Sequence, residues 1–206
     1  MKQKLLGNLK KGLFFIISAP AGAGKTTLTR MLTKEFKSVI ESVSFTSREP
    51  RKDEKEGVDY FFVTKEEFEK KIKEGDFLEY AKVFDHYYGT SKTFVEKNLN
   101  EKKHVVLVID TQGALKLKNK IESTYIFISP PSIDTLKERM KKRADIDDKE
   151  IEKRLTWANE EMKQIVNYDY NITNIDLDKS YEELRSIFIA EEHKVNHLFL
   201  KKGLEP

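Results

Sequence analysis

Residues 13–27 read LFFIISAPAGAGKTT: a short apolar run, a loop of small residues, then Gly24-Lys25-Thr26 at the start of a helical pattern. An apolar run that meets glycines and then a helix is a buried parallel strand turning through a phosphate-binding loop. Gly22 and Gly24 leave no side chain between the backbone and a polyphosphate. Successive N–H groups can therefore converge on the same oxygens, while the helix adds the positive end of its dipole. Lys25 is placed to reach the β- and γ-phosphates, and the Thr26 hydroxyl to complete the shell of a Mg²⁺ ion. Ala19 stands where the G-x-x-x-x-G-K-[ST] pattern has glycine, so its methyl group is tolerated only if residue 19 needs no positive φ and the phosphates sit nearer Gly22 and Gly24.

Outward from this loop the chain alternates in an α/β fashion. Leu28, Met31, Leu32 and Phe36 recur at helical spacing, and Val39 to Phe45 reads as one short strand. Residues 46–57, TSREPRKDEKEG, form a polar loop in which Pro50 excludes a regular helix. Val58 to Val63 is strand-like. Thr64 with Glu67 three residues on announces a capped helix that stops at Gly75. Phe77 to Phe84 and Tyr87-Tyr88 have strand character, so residues 44–91 make a small mixed α+β insertion. A helix from Ser91 to Lys102 leads to Val105–Asp110, a central strand whose tip carries a carboxylate, where open α/β sheets bind ligands. A helix over 111–119, a strand over 124–128 and a turn at Ser129-Pro-Pro-Ser132 precede a long helix from about Ile133. Residues 137–157 are almost solidly charged, in two helical patches around a polar middle, as in an exposed hairpin or a lid. The second helix is expected to reach about Asn167. A strand over 170–173 and an amphipathic helix over 180–200 complete the chain.

The 206 residues suit one domain with inserted parts better than two independent ones. Charged residues make up 35% of the chain against the roughly 25% usual in soluble proteins, yet the net charge is only +3. That balance gives a mixed, solvated surface and argues against a nucleic-acid partner. No apolar run approaches the length of a membrane span and residues 1–11 lack a secretory pattern, so a cytoplasmic location and no membrane partner are expected. Without cysteine, thiolate catalysis and thiolate metal sites are excluded. His193 and His197 stand four apart but lack a nearby glutamate partner, and read as surface residues.

Three constellations bear on chemistry. Arg48 and Arg51 share one proline-held loop, with Tyr60 and Tyr88 in the same insertion; guanidinium forks and tyrosyl hydroxyls suit a phosphomonoester, although an R-x-x-R is also common on plain solvated surface. Arg139, Arg143 and Arg154 in the charged hairpin can close over a triphosphate, or simply lace two helices with charge. Glu79, with Ser44, Thr90 and Asp110, can accept from two adjacent donors on one base edge. Guanine offers such donors at N1 and N2, whereas adenine has an acceptor at N1.

At these residues the chain resembles the guanylate kinases, from about Leu13 to Ala190. The segments that carry the likeness are SAPAGAGKTTL, TSREPR with GVDYFFV, EFEKKIKEGDFLEYA, YYGT, VIDTQG, and SPPS followed by LKERMKKR. The resemblance implies a P-loop NTPase with a central parallel sheet, an inserted GMP-binding region and a helical lid. The core would comprise residues 1–43, 92–136 and 159–206, the GMP-binding region 44–91 and the lid 137–158. It implies transfer of the γ-phosphoryl of ATP to GMP or dGMP, with Mg²⁺ held by Thr26 and Asp110. ATP binding falls on Ala19, Pro20, Ala21, Gly22, Ala23, Gly24, Lys25, Thr26 and Thr27. GMP binding falls on Ser44, Arg48, Arg51, Tyr60, Glu79, Tyr88, Thr90 and Asp110, and catalysis on Lys25, Arg48, Arg51, Arg139, Arg143 and Arg154. The chain departs from the family at Ala19, at Thr26-Thr27, at Val108 in place of an acidic residue, and at Asn174-Ile175 in place of Asn-Asp on the adenine side. A monomer or small homo-oligomer is expected. Two rivals are a nucleoside-monophosphate kinase for another base, and a non-catalytic guanylate-kinase-like binding module. Modules of that kind typically lack the loop lysine that this chain keeps as Lys25.

Overall fold

The computed structural model describes residues 5–83, 85–142 and 147–195. Strand β1, Phe14–Ser18, is buried along its whole length and leads through the loop into helix α1, Lys25–Glu35. Strand β2, Val39–Ser42, returns to the core, and the chain then leaves it. Next come β3, Phe45–Thr46; β4, Phe61–Phe62; helix α2, Lys65–Glu74; β5, Phe77–Val83; and β6, His86–Ser91. Back in the core lie α3, Lys92–Asn100; β7, His104–Val108; α4, Thr111–Leu117; and β8, Thr124–Ser129. Helices α5, Ile133–Lys142, and α6, Asp148–Met162, follow. Then come a 3₁₀ turn, Lys163–Asn167, strand β9, Tyr170–Thr173, and helix α7, Leu177–Glu192.

The core sheet is parallel throughout, in the order β2-β7-β1-β8-β9. Both its faces are covered, which explains why β1 is apolar from Phe14 to Ile17 and does not alternate. Phe15 and Ile17 join Leu28, Leu32, Leu184 and Phe188 on the α1 and α7 side. Phe14 and Ile16 meet Val95, Leu99, Ala114 and Leu117 on the α3 and α4 side. Phe15 stacks on Phe188 with ring centroids 3.7 Å apart. Each such fully buried side chain contributes roughly 1.5–3 kcal/mol. Parallel strands bring all their carboxyl ends to one edge of the sheet, and every loop that leaves this edge can reach a common ligand.

The segment between β2 and α3 builds a second sheet, in the order β4-β3-β6-β5. Helix α2 is clipped to it by Phe68, whose ring stacks on Phe77 at 4.4 Å and on Tyr87 at 5.1 Å. A Cβ at Gly89 would lie 2.8 Å from Phe68 Cζ, so only glycine lets the helix sit this close. The capping box is present: Glu67 N–H donates to Thr64 Oγ1 and Thr64 N–H to Glu67 Oε2, and Gly75 ends the helix at φ 72°. Helices α5 and α6 pack on each other through Leu136, Met140, Ile151, Leu155 and Ala158.

The structure corrects several expected boundaries. Residues 39–45 are two strands in different sheets, because the chain crosses from the core to the insertion at Val43-Ser44. The strand expected over 58–63 shrinks to Phe61–Phe62, since Lys55 O accepts from Val58 and Asp59 in a turn. Strand β7 ends at Val108, so Asp110 caps α4 from beyond the strand. The helix expected to reach Asn167 ends at Met162 and tightens into the 3₁₀ turn. The last helix starts three residues early because Asp176 accepts from Lys179 N–H and caps it, and it ends at Glu192. Among the described residues, no helix is long and apolar enough to cross a membrane. Arg143 and His197 lie outside the described residues.

Candidate active site

The loop after β1 is shaped by two left-handed glycines, Gly22 at φ 91° and Gly24 at φ 104°. A Cβ on Gly24 would fall 2.3 Å from Asn174 Nδ2, which donates to Ala23 O at 2.8 Å, so strand β9 locks the loop from behind. Ala19 is not among the positive-φ residues and is buried, so the backbone condition its methyl group imposed is met. The Lys25 ammonium donates to Ala19 O at 3.2 Å, folded over the loop it belongs to. In front of the loop lies a cavity of about 220 Å³. It is lined by Gly22, Gly24, Lys25, Thr26 and Thr27, and by Arg51 from the insertion and Met140 and Arg154 from the hairpin. Three segments far apart in sequence thus place cations on one hollow, which is what binding a polyanion requires.

The other hairpin arginine among the described residues, Arg139, is not part of the cavity lining. Arg139 Nη2 donates to Asn174 O at 2.9 Å and ties α5 to the end of β9. Arg154 Nε donates to Glu150 Oε1 at 3.0 Å, one turn back on α6.

In the insertion, the Arg48 guanidinium donates from Nε to the Tyr88 hydroxyl at 3.3 Å and lies 5.6 Å from the centre of the Tyr60 ring. The two tyrosine rings meet edge to face at 5.8 Å. Arg48 Nη2 also donates to both oxygens of Glu54 at 2.8 Å, and Glu54 accepts from Arg51 N–H at 2.9 Å. Burial works against the Glu54 charge, but the Arg51 N–H and the Arg48 guanidinium hold its carboxyl below the usual range. Glu54 therefore braces both arginines. It was hidden in the sequence among the charges of residues 52–56.

Glu79 on β5 is 8% exposed and faces Thr90 across the β5–β6 ladder, where Thr90 Oγ1 donates to Glu79 Oε1 at 2.7 Å. Burial pushes its carboxyl up to about 7; the Thr90 hydroxyl offsets this and the Asp110 charge adds to it. A Cβ at Gly113 would lie 3.2 Å from Glu79 Oε2, which shows how closely the start of α4 backs the carboxylate. Asp110 Oδ1 accepts from Gly113 N–H at 2.8 Å. Ser44 is buried where the chain enters the insertion, and its carbonyl accepts from Phe61 N–H.

A second buried carboxylate escaped the sequence reading. Glu161 continues the buried stripe of α6 whose other members, Ile151, Leu155 and Ala158, pack on α5, and it is 5% exposed. The signal was an acid at a position where helical spacing calls for an apolar residue.

A Gly-rich loop with its lysine between a parallel strand and a helix, a facing set of arginines and a separate insertion carrying a buried carboxylate define a P-loop nucleoside-monophosphate kinase. The Guanylate kinase sequence profile matches residues 11–191. The guanylate kinase of Protochlamydia amoebophila strain UWE25 is 53% identical over 190 residues, covering 92% of this chain and 96% of its own. That of Caldanaerobacter subterraneus subsp. tengcongensis is 48% identical over 196 residues, covering 93% and 95%. The crystal structure of guanylate kinase from Anaplasma phagocytophilum superposes with a TM-score of 0.78 at 32% identity, covering 96% of this chain and 95% of that one. The chain belongs to the guanylate kinase family.

Proposed function

We propose that this chain transfers the γ-phosphoryl of ATP to GMP or dGMP, giving ADP and GDP or dGDP, with the triphosphate on residues 19–27 and the monophosphate in the insertion. The observation that carries the reading is the single cavity on which Lys25, Arg51 and Arg154 converge. Phosphoryl transfer asks for alignment and charge stabilisation more than for covalent chemistry, and three cations from three segments supply both once they are brought together. Lys25 stabilises charge on the transferring group, and Arg154 with Arg139 and Arg143 closes from the hairpin. Arg48, Arg51, Tyr60 and Tyr88 hold the acceptor phosphate. Glu79, with Ser44, Thr90 and Asp110, takes the guanine edge. In this reading residues 44–91 are the GMP-binding region, 137–158 the lid and the rest the core. Lid closure keeps water from accepting the γ-phosphoryl.

Among the described residues, no three His, Cys, Asp or Glu side chains cluster as a cation cage. That suits Mg²⁺, which is commonly held by substrate phosphates and one or two protein oxygens. The Thr26 hydroxyl at the cavity is the first of these. Asp110, just beyond the strand that pairs with β1, is the second, with its Oδ1 engaged by Gly113 N–H. Mg²⁺, when bound with ATP, neutralises charge on the phosphates. A cytoplasmic site of action goes with the cysteine-free sequence.

The clamp is tested by Arg51→Lys, which keeps the charge and loses the fork. GMP binding weakens by roughly 1–3 kcal/mol while guanosine binding hardly changes, as titration calorimetry with both ligands will show. Equal losses would mean that Arg51 supports the fold and not the phosphate.

A further inference from the structure

Arg30 and Asp59 meet where the core faces the insertion, and neither has a part in the reaction as described so far. Arg30 Nη2 donates to Asp59 Oδ1 at 2.9 Å. Arg30 stands on α1, three and four residues beyond Thr27 and Thr26, and residues so spaced share one face of a helix. Thr26 and Thr27 line the cavity, so Arg30 lies one turn further along the same face.

Asp59 belongs to the turn that carries acceptor-side groups. Its second oxygen, Oδ2, accepts from Lys55 N–H at 2.9 Å, and its own N–H donates to Lys55 O at 3.0 Å. Glu54 N–H donates to Arg51 O at 3.0 Å and Gly57 N–H to Tyr60 O at 2.8 Å, so hydrogen bonds close residues 51–60 on themselves. At one end of this unit Arg51 lines the cavity with Lys25; at the other the Tyr60 ring lies beside the Arg48 guanidinium.

We propose that Arg30 is a positioning residue for phosphoryl transfer: through Asp59 it fastens the turn that carries Arg51 to the helix that begins with Lys25.

The Arg30 side chain is 60% exposed and that of Asp59 24%. Ion pairs this open to water are screened and do little for folding stability. This one joins a helix of the core to a turn of the inserted sheet, so it fixes how the two stand to each other and not either fold. The outer strands of the inserted sheet are β5 and β4. Lys116 Nζ donates to Tyr80 O at 2.9 Å and holds β5 to α4, while Arg30 holds the turn that enters β4. Attachment at both edges sets the sheet, and with it Arg51, against the phosphate loop before either nucleotide arrives. Transfer rewards such a setting, because a misplacement of about 1 Å between reacting groups is enough to slow it severely.

The inference rests on the reading of residues 44–91 as the acceptor site, and the test separates the two. Arg30→Met keeps the stem and removes the charge; Asp59→Asn removes the charge and keeps an acceptor for Lys55 N–H. In the full chain with ATP and Mg²⁺, each is expected to lower kcat/KM for GMP about three- to tenfold, with Tm within about 2 °C of the parent and KM for ATP within about twofold. Arg30→Lys, which retains a cation for Asp59, stays within about twofold of the parent. The double variant Arg30→Met with Asp59→Asn loses no more than about twofold beyond either single one, because both break the same contact. Raising NaCl from about 0.05 to about 0.5 M brings the parent down toward Arg30→Met, beyond any change the two share. Parental kcat/KM in Arg30→Met, losses that multiply in the double variant, or an Arg30→Lys as impaired as Arg30→Met overturns the proposal and leaves the acceptor site in place. A parent that transfers phosphate to no nucleoside monophosphate overturns the acceptor reading itself, and this proposal with it.

Discussion

Lys25→Ala lowers kcat by about 10²–10³-fold and leaves the affinity for GMP nearly unchanged. The ammonium belongs to the loop, lies over Ala19 O at 3.2 Å and lines the cavity in front of it. In the proposed reaction its charge is applied where negative charge moves during transfer. The residues proposed to bind GMP lie, apart from Asp110, between β2 and α3. A residue that acts only as charge builds up in the transition state lowers kcat and kcat/KM together and spares ground-state binding of the other substrate. The fold does not depend on the lysine, since the loop is set by Gly22, Gly24 and the Asn174–Ala23 bond. Stopped-flow turnover and GMP titration on the same preparation check this. Near-normal turnover would remove the loop from the mechanism.

Glu79→Gln lowers kcat/KM for GMP by about 2–4 kcal/mol and narrows the gap between GMP and AMP. A carboxylate offers acceptors to both guanine N1–H and N2–H₂, whereas glutamine of the same size presents one acceptor and one donor. Burial has also raised the Glu79 carboxyl to about 7 in the free protein, so it must lose a proton before it can accept from guanine. GMP binding therefore strengthens as pH rises through about 7 and is about tenfold weaker at pH 6 than at pH 8, beyond any change shared with the Gln variant. The stability effect has the opposite sense. A carboxyl whose folded pKa lies above its unfolded one favours the folded state at low pH, and that contribution is lost as pH rises from about 4.5 to about 7. At pH 8 the ligand-free Gln variant should accordingly melt a few degrees above the parent. A variant that keeps its full preference for GMP over AMP would remove Glu79 as the base reader.

Much of this site was legible in the sequence because its parts are local. The strand, loop and helix at residues 13–27 follow from apolar run, glycines and helical spacing, and the capping box at Thr64–Glu67 declares its helix outright. Arg48 and Arg51 were visible as a pair in one loop. Their brace, Glu54, was not, because nothing local separates it from the other charges around it. The single strand expected over 39–45 failed at Val43-Ser44, where local β propensity continues but the sheet to which the chain belongs changes.

Initial rates with ATP and Mg²⁺ and each of GMP, AMP, UMP and CMP as acceptor test most directly the claim that this chain is a kinase that reads guanine through Glu79. The parent is expected to favour GMP over every other acceptor by at least about two orders of magnitude in kcat/KM, since a buried acceptor left facing an unprotonated base nitrogen is rejected on that scale. Comparable rates with AMP, or no transfer to any of the four, would contradict it.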